Sequence, residues 1–285
     1  MPYSRNEFLR LSAAAVGGMA LSPLLNEFAA DNKIKRFGLQ LYTLRDVLLN
    51  DVTGILKQVA ALGYKDIESY EGPKGMFWGM SNHEFKKILD DLGMRLVSSH
   101  CDVYKEFERK VDEAAAIGMK YLLSSSLTEK KNKEFIWKLP DQFNKYGEIC
   151  RKAGLRFAYH AENWDFEKVD GKTPEEILIE NTDPKLVDFQ MDIYWFVTGG
   201  QDPTVWLRTY KERFVSCHLK DRIKGATQKD ASCTLGTGRI DVPTILKAAT
   251  VDRIKYFFLE QEQYGNSTPM KCVEEDAAYM KKLKL

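Results

Sequence analysis

The sequence predicts an α/β protein, a single (β/α)8 barrel over residues 31–285, on three observations. Short apolar runs alternate with longer amphipathic stretches from residue 36 onward, eight of each. Such alternation implies parallel strands joined by helices, and eight is the number at which the sheet closes. Four amphipathic stretches end in a glycine just before the next apolar run: ALGYKD, DLGMRL, AIGMKY and KAGLRF. Glycine accepts the left-handed geometry that closes a helix, so the repetition marks repeated helix-to-strand turns. Finally, 285 residues suit one barrel domain after a short leader. An open doubly wound sheet would use fewer strands, and no GxGxxG follows the first strand.

The elements follow in order. RFGLQLYT (36–43) reads as the first strand and VTGILKQVAALGY (52–64) as its helix. KDIESY (65–70) precedes NHEFKKILDDLGM (82–94), and RLVSSH (95–100) precedes FERKVDEAAAIGM (107–119). KYLLSSS (120–126) leads to LPDQFNKYGEICRKAGL (139–155), with TEKKNKEFIWK between them as an insertion suited to a lid or a subunit interface. RFAYHA (156–161) leads to TPEEILIENT (173–182), and LVDFQMDIYW (186–195) to PTVWLRTYKE (203–212). RFVSCHLKD (213–221) leads to DVPTILKAATV (241–251) through the polar loop KGATQKDASCTLG, and KYFFLEQ (255–261) to the last helix.

Residues 1–30 form a separate segment. Basic residues, a stretch of small apolar residues and then NEFAADNK resemble a secretory leader. SRNEFL resembles a twin-arginine signal with asparagine in place of the second arginine, so export to the periplasm is expected, with a cytoplasmic location as the alternative. Past the leader, no segment is apolar and long enough to span a bilayer. Basic and acidic residues nearly cancel, 42 against 41, which argues against a nucleic-acid partner and a polybasic membrane anchor. The five scattered cysteines contain no CxxC, so neither a disulfide framework nor a zinc knuckle is expected.

A barrel of this kind carries its chemistry where the strands end. Those ends bring Gln40 and Tyr42, Glu68, His100 with Asp102, Ser124 to Ser126, His160 with Glu162, Asp192 with Tyr194, His218 with Lys220 and Asp221, and Glu260 with Glu262. The chain has four histidines, and three of them (100, 160 and 218) close apolar strands. Carboxylates converging on one partly dry face repel one another, and a divalent cation relieves that repulsion. Strands five to eight offer one ligand each: Glu162 or His160, Asp192, His218 and Glu260. Oxygen ligands with an imidazole suit Mn²⁺, Mg²⁺, Zn²⁺ or Co²⁺.

GLQLYTLRD, GYKDIESY, FAYHAENWDFE, MDIYW, CHLKD, GTGRIDVPTILKA and FFLEQE run in order across residues 36–285. With them the chain resembles the xylose isomerase-like TIM barrel superfamily, in particular the sugar phosphate isomerase/epimerase family. The resemblance implies a single divalent ion with ligands after strands five to eight, and the last three fall on Asp192, His218 and Glu260. At strand five the family's acidic ligand aligns with His160. Relatives read YHNHxFEF there and this chain reads YHAENWDF, so Glu162 is the nearest acid and the favoured ligand.

Such a site fits a divalent-metal-dependent isomerase or epimerase acting on a keto-sugar through an enediolate. Glu68 or Glu162 is the expected base and Glu260 its partner, with His160 as a further contact and Lys220 holding a developing oxyanion. Gln40, Tyr42, His100, Trp164 and Trp195 are expected against the substrate, two of Tyr42, Phe77, Trp78, Trp164 and Trp195 stacking on a pyranose. The same enediolate also serves a lyase that eliminates from a 3-keto-glycoside or keto-polyol, and a metal-free carbohydrate-binding barrel is the non-enzyme alternative. A repair endonuclease on this barrel needs a histidine-rich multi-metal cluster and a basic groove, against which four histidines and a net charge of +1 argue. The partner expected is a small carbohydrate, with the chain alone or in a homo-oligomer.

Overall fold

The structure is a computed structural model describing residues 34, 36–125, 127, 129, 132–251 and 254–285; the expected export segment, residues 1–30, lies outside them, as does Ser126. Eight strands, β1 (Gly38–Gln40), β2 (Asp66–Tyr70), β3 (Arg95–His100), β4 (Tyr121–Ser124), β5 (Arg156–His160), β6 (Val187–Asp192), β7 (Phe214–Leu219) and β8 (Tyr256–Leu259), pair in sequence. All pairs are parallel, and β8 returns to β1, so the barrel is closed. Around it lie α1 (Val52–Ala61), α2 (Asn82–Asp91), α3 (Phe107–Ala116), α4 (Lys133–Lys152), α5 (Pro174–Asn181), α6 (Ile193–Thr198), α7 (Pro203–Thr209), α8 (Val242–Val251) and α9 (Pro269–Lys282). Among the described residues no helix is long and apolar enough to cross a membrane.

Outward-facing strand residues such as Leu39, Ile67, Leu122, Phe157 and Phe189 pack with helix residues such as Leu56, Phe85 and Phe143 in one large cluster. Each such Leu or Phe contributes roughly 1.5–3 kcal/mol by leaving water. A second, smaller cluster of Val97, Tyr121, Leu123, Ala158, Val215 and Phe258 plugs the barrel beneath the polar layer that forms the site. The four helix-ending glycines 63, 93, 118 and 154 all take positive φ, as the repeated turns require. At the N-terminal mouth Asp66 is bracketed by Arg36 and Arg95 at 2.7 and 2.8 Å, an ion-pair cluster remote from the polar face.

Three boundaries and one loop differ from the sequence reading for local reasons. The first strand stops at Gln40, because its side-chain oxygen accepts from the Tyr42 N–H (3.1 Å) and turns 41–44 into a 3₁₀ helix. The strand expected to run through Trp195 stops at Asp192, whose carboxylate caps α6 by accepting from the N–H groups of Tyr194 and Trp195. The helix expected to start at Leu139 begins at Lys133, capped by Asn132, and runs through Pro140. The TEKKNKEFIWK insertion, expected as a lid or a subunit interface, is therefore helix from Lys133 onward. The loop after β7 is pinned rather than free, through a ribbon pairing Asp221–Arg222 with Ser232–Cys233.

Candidate active site

At the C-terminal mouth lies a pocket of about 430 Å³, walled by Gln40, Tyr42, Tyr70, His100, His160 and Trp195 and by five carboxylates, Glu71, Asp102, Glu162, Glu260 and Glu262. No lysine or arginine among the described residues lines it. Tyr42 is 37% exposed and meets Tyr70 edge-to-face at 5.0 Å, so an aromatic lip borders an acidic interior.

Below the pocket floor, Glu68 on β2 is fully buried. It accepts from Gln40 Nε2 (2.9 Å), Ser98 Oγ (2.6 Å), Gln190 Nε2 (2.8 Å) and His218 Nε2. Burial favours its neutral form, but His100 and His218 outweigh that and hold the carboxyl well below its ordinary range. Glu68, one of the two residues expected as the base, is saturated with donors and does not line the pocket.

Because Glu68 only accepts, it fixes the Gln190 amide, whose Nε2 also reaches Ser216 Oγ (3.0 Å). Gln190 Oε1 then accepts from His100 Nε2 and His160 Nδ1, both at 2.9 Å. That assigns the His160 tautomer, with the Nε2 lone pair 3.9 Å from Asp192 Oδ2. Burial, reinforced by His218 and His100, pushes the His160 pKa down to about 3, so the ring is neutral. Gln190 was missed in the sequence, although it stands two residues before Asp192 on one strand and so shares its face.

Asp192, His218 and Glu260 form one group whose ligand atoms lie within 4.8 Å of one another, and His100, His160 and His218 form another. His218 Nδ1 is 3.1 Å from Glu260 Oε2 and 3.7 Å from Asp192 Oδ2. Burial disfavours the charged ring, yet Glu260 and Glu68 raise its pKa well above the ordinary value. Desolvation opposes ionisation of Asp192 and Glu260, but Lys220 first and then the histidines keep both carboxyls low.

The expected side chains are distributed unequally. Gln40, Tyr42, His100, His160, Glu162, Trp195 and Glu260 line the pocket. Phe77, Trp78 and Trp164 do not; Trp78 is buried and donates to Ser69 Oγ (3.1 Å), so of the five aromatics expected to include the stacking residues only Tyr42 and Trp195 line the pocket. Glu162, the favoured strand-five ligand, belongs to neither ligand group among the described residues. β5 ends at His160 and Glu162 already belongs to the turn into a 3₁₀ helix (Asn163–Phe166), its N–H donating to Asp165 Oδ2 (2.7 Å). His160 is therefore the strand-five side chain beside Asp192. Lys220, expected against substrate, is fully buried and paired with Glu260 at 2.8 Å and with Glu262. Glu262, named with Glu260 at the end of the last strand but given no role, lines the pocket, and burial, opposed by Lys220, raises its pKa.

The HLKD and GxGxID motifs have a shared structural cause. Asp221 accepts from four backbone N–H groups, those of Arg222 (2.7 Å), Gly236 (3.0 Å), Gly238 (2.8 Å) and Ile240 (3.0 Å). Ser232 in the same loop accepts from the N–H groups of Glu262 (3.0 Å) and Gln263 (2.9 Å), tying the loop to the pocket wall.

The donor set fits a divalent ion. Asp192 Oδ2 is buried and accepts no well-formed hydrogen bond, although Lys220 Nζ stands 3.1 Å away. His218 offers Nδ1 on that side while Nε2–H is held by Glu68, the carboxylate–histidine arrangement that orients a metal-binding imidazole. Fold and site together define a closed parallel barrel with an acidic, histidine-bearing pocket at its C-terminal mouth.

The Xylose isomerase-like TIM barrel family matches residues 56–283, and the chain belongs to it. Two solved sugar phosphate isomerase/epimerase structures from Parabacteroides distasonis ATCC 8503 are similar throughout. One is 30% identical with a TM-score of 0.74, over 86% of this chain and 93% of that one. The other is 25% identical with a TM-score of 0.76, over 87% and 98%. An inosose dehydratase of Geobacillus kaustophilus (strain HTA426) is 30% identical over 142 residues, 44% of this chain and 45% of that enzyme, so the match spans less than half of either.

Proposed function

We propose that the chain is a divalent-metal-dependent sugar isomerase or epimerase acting on a keto-sugar or related carbohydrate. The observation that carries this is the buried Asp192 Oδ2, without a well-formed hydrogen bond, grouped with His218 and Glu260 beside a pocket of about 430 Å³. Asp192, His218, Glu260 and, from β5, His160 would hold the ion, which supplies Lewis-acid polarisation of a substrate carbonyl.

The remaining work falls to the protein's own groups. Tyr42 and Trp195 bind the apolar face of the sugar ring, and Gln40 and His100 receive its hydroxyls. Glu162 and Glu262 are the carboxylates on the pocket wall suited to take the proton beside the carbonyl and return it. The raised pKa of Glu262 suits a proton carrier better than the low one of Glu260. Returning the proton to the opposite face of the same carbon gives an epimer, and to the neighbouring carbon an isomer.

The partial similarity to an inosose dehydratase supports a second reading, in which the same enediolate expels a β-hydroxyl. Here the raised Glu262 carboxyl donates the proton that leaves with it as water.

One experiment addresses both. Keto-sugars, keto-polyols and oxidised glycosides are incubated with the chain in heavy water with Mn²⁺ or Mg²⁺ and followed by NMR. Deuterium incorporation beside the carbonyl is expected, with an epimer or isomer marking the first reading and an absorbing enone the second. Binding without exchange across the panel would refute both and leave a carbohydrate-binding barrel.

A further inference from the structure

The proton-transfer scheme leaves Lys220 without a task. The residue follows β7 directly, two positions after His218, and its ammonium is wholly enclosed. Lys220 Nζ lies 2.8 Å from Glu260 Oε2 and 3.1 Å from Asp192 Oδ2, and pairs with Glu262 Oε1. The rings of Tyr194 and Trp195 lie 5.2 and 5.0 Å from it. Glu260 Oε2 and Asp192 Oδ2 are also the oxygens that face His218 Nδ1. Two of the three atoms best placed for the ion are therefore already the seat of a fixed positive charge.

We propose that Lys220 is a built-in counter-cation that competes with the divalent ion for Asp192 and Glu260. The proposal rests on the reading of Asp192, His218 and Glu260 as the ion site. With no ion bound, the ammonium holds together carboxylates that would otherwise repel one another in a buried space. With an ion bound, two cations cannot share the same pair of oxygens at close range, so the ammonium withdraws towards Glu262. That carboxylate lines the pocket, so withdrawal brings the lysine to the substrate side. Lys220 thereby lowers ion affinity and stabilises the ion-free protein; it acts on ion loading as a positioning residue.

The test uses the full chain stripped with chelator, Mn²⁺ as the probe, calorimetric titration and thermal melting, in wild type, Lys220→Met, Glu262→Gln and the double variant. Lys220→Met is expected to bind Mn²⁺ about tenfold more tightly than wild type, to melt lower when stripped, and to gain more from added ion. Glu262→Gln removes the seat to which the ammonium withdraws, so it weakens Mn²⁺ binding alone but has no further effect in the Lys220→Met background. Equal or weaker binding by Lys220→Met overturns the proposal. Should that variant not fold, unchanged affinity in Glu262→Gln overturns it instead. If neither wild type nor Lys220→Met takes up Mn²⁺, the ion site itself is refuted and this proposal with it. If both bind equally, only the role of Lys220 falls.

Discussion

Gln190→Met tests how the site is held in order. Methionine nearly matches glutamine in shape but neither donates nor accepts strongly. Glu68 would keep its bonds from Ser98, Gln40 and His218, and His100 Nε2 would keep its 3.2 Å approach to Glu68. His160 Nδ1 would lose the 2.9 Å bond that fixes its tautomer, and Ser216 the amide that donates to it. One orphaned ring N–H plus the lost Ser216 and Glu68 bonds costs about 3 kcal/mol, read as a shifted midpoint in guanidinium unfolding of the chelator-stripped protein. Once the tautomer is unlocked, the proton is free to move to Nε2, the nitrogen facing Asp192, and Mn²⁺ affinity is expected to fall about 10–100-fold. Nitrogen-15 NMR of the histidine rings reports the tautomer directly. If Gln190→Met retains the Nδ1–H form of His160 and binds Mn²⁺ as wild type does, the amide is not what orders the site.

Two further outcomes are expected. Asp276 on α9 is buried and accepts from the Leu235 N–H (2.8 Å); burial, opposed by that bond, raises its pKa from 3.8 to about 7. The folded state thus binds the extra proton between those values, so stability falls as pH rises from about 4 to about 7 and stays low above. Asp276→Asn should gain about 2 kcal/mol at pH 8 and nothing at pH 4 in denaturant melts, below the roughly 4 kcal/mol ceiling of a three-unit shift; an equal gain at both pH values would contradict the linkage. A Cβ added at Gly238 would fall 2.2 Å from Asp221 Oδ1 and 2.4 Å from Arg222 O. Gly238→Ala should therefore destabilise by about 2 kcal/mol and loosen the 232–240 loop, seen as faster amide exchange at Gly236 and Ile240; unchanged exchange there would show that the Asp221 clamp tolerates the methyl.

The barrel was legible because its signals are periodic: eight apolar runs, and glycines at four matching turns. Asp192, His218 and Glu260 were legible because each sits at a strand end, where position alone gives direction. Glu162 and His160 were harder to separate, since residues two apart share a face for as long as the strand lasts, and only where it ends decides which of them stays beside Asp192. The true end at His160 depends on the turn that Asp165 stabilises through the Glu162 N–H. The surroundings of Glu68 were not legible, because sequence shows a carboxylate but not the four donors that saturate it. Gln190 went unread because a lone polar residue in a strand acquires meaning only when Glu68, His100 and His160 converge on it from three other strands. The partners of Lys220 were hidden for the converse reason: whether an ammonium faces substrate or carboxylates depends on Glu260 and Glu262, some 40 residues away.

The acidic wall also has a kinetic consequence. Five carboxylates line the pocket, offset in part by Lys220 behind Glu260 and Glu262 and by Lys110 behind Glu71, and the acidic excess at the opening attracts small cations. On the proposed reading of the ion site, a divalent ion would be drawn in by that field over a distance comparable to the Debye length, about 10 Å at 0.1 M salt. The rate of ion capture therefore falls as ionic strength rises, while entry of an uncharged sugar proceeds at the same rate throughout. On the proposed metal-dependent reading, reconstitution of stripped protein at high salt is expected to be the slow event before the first turnover.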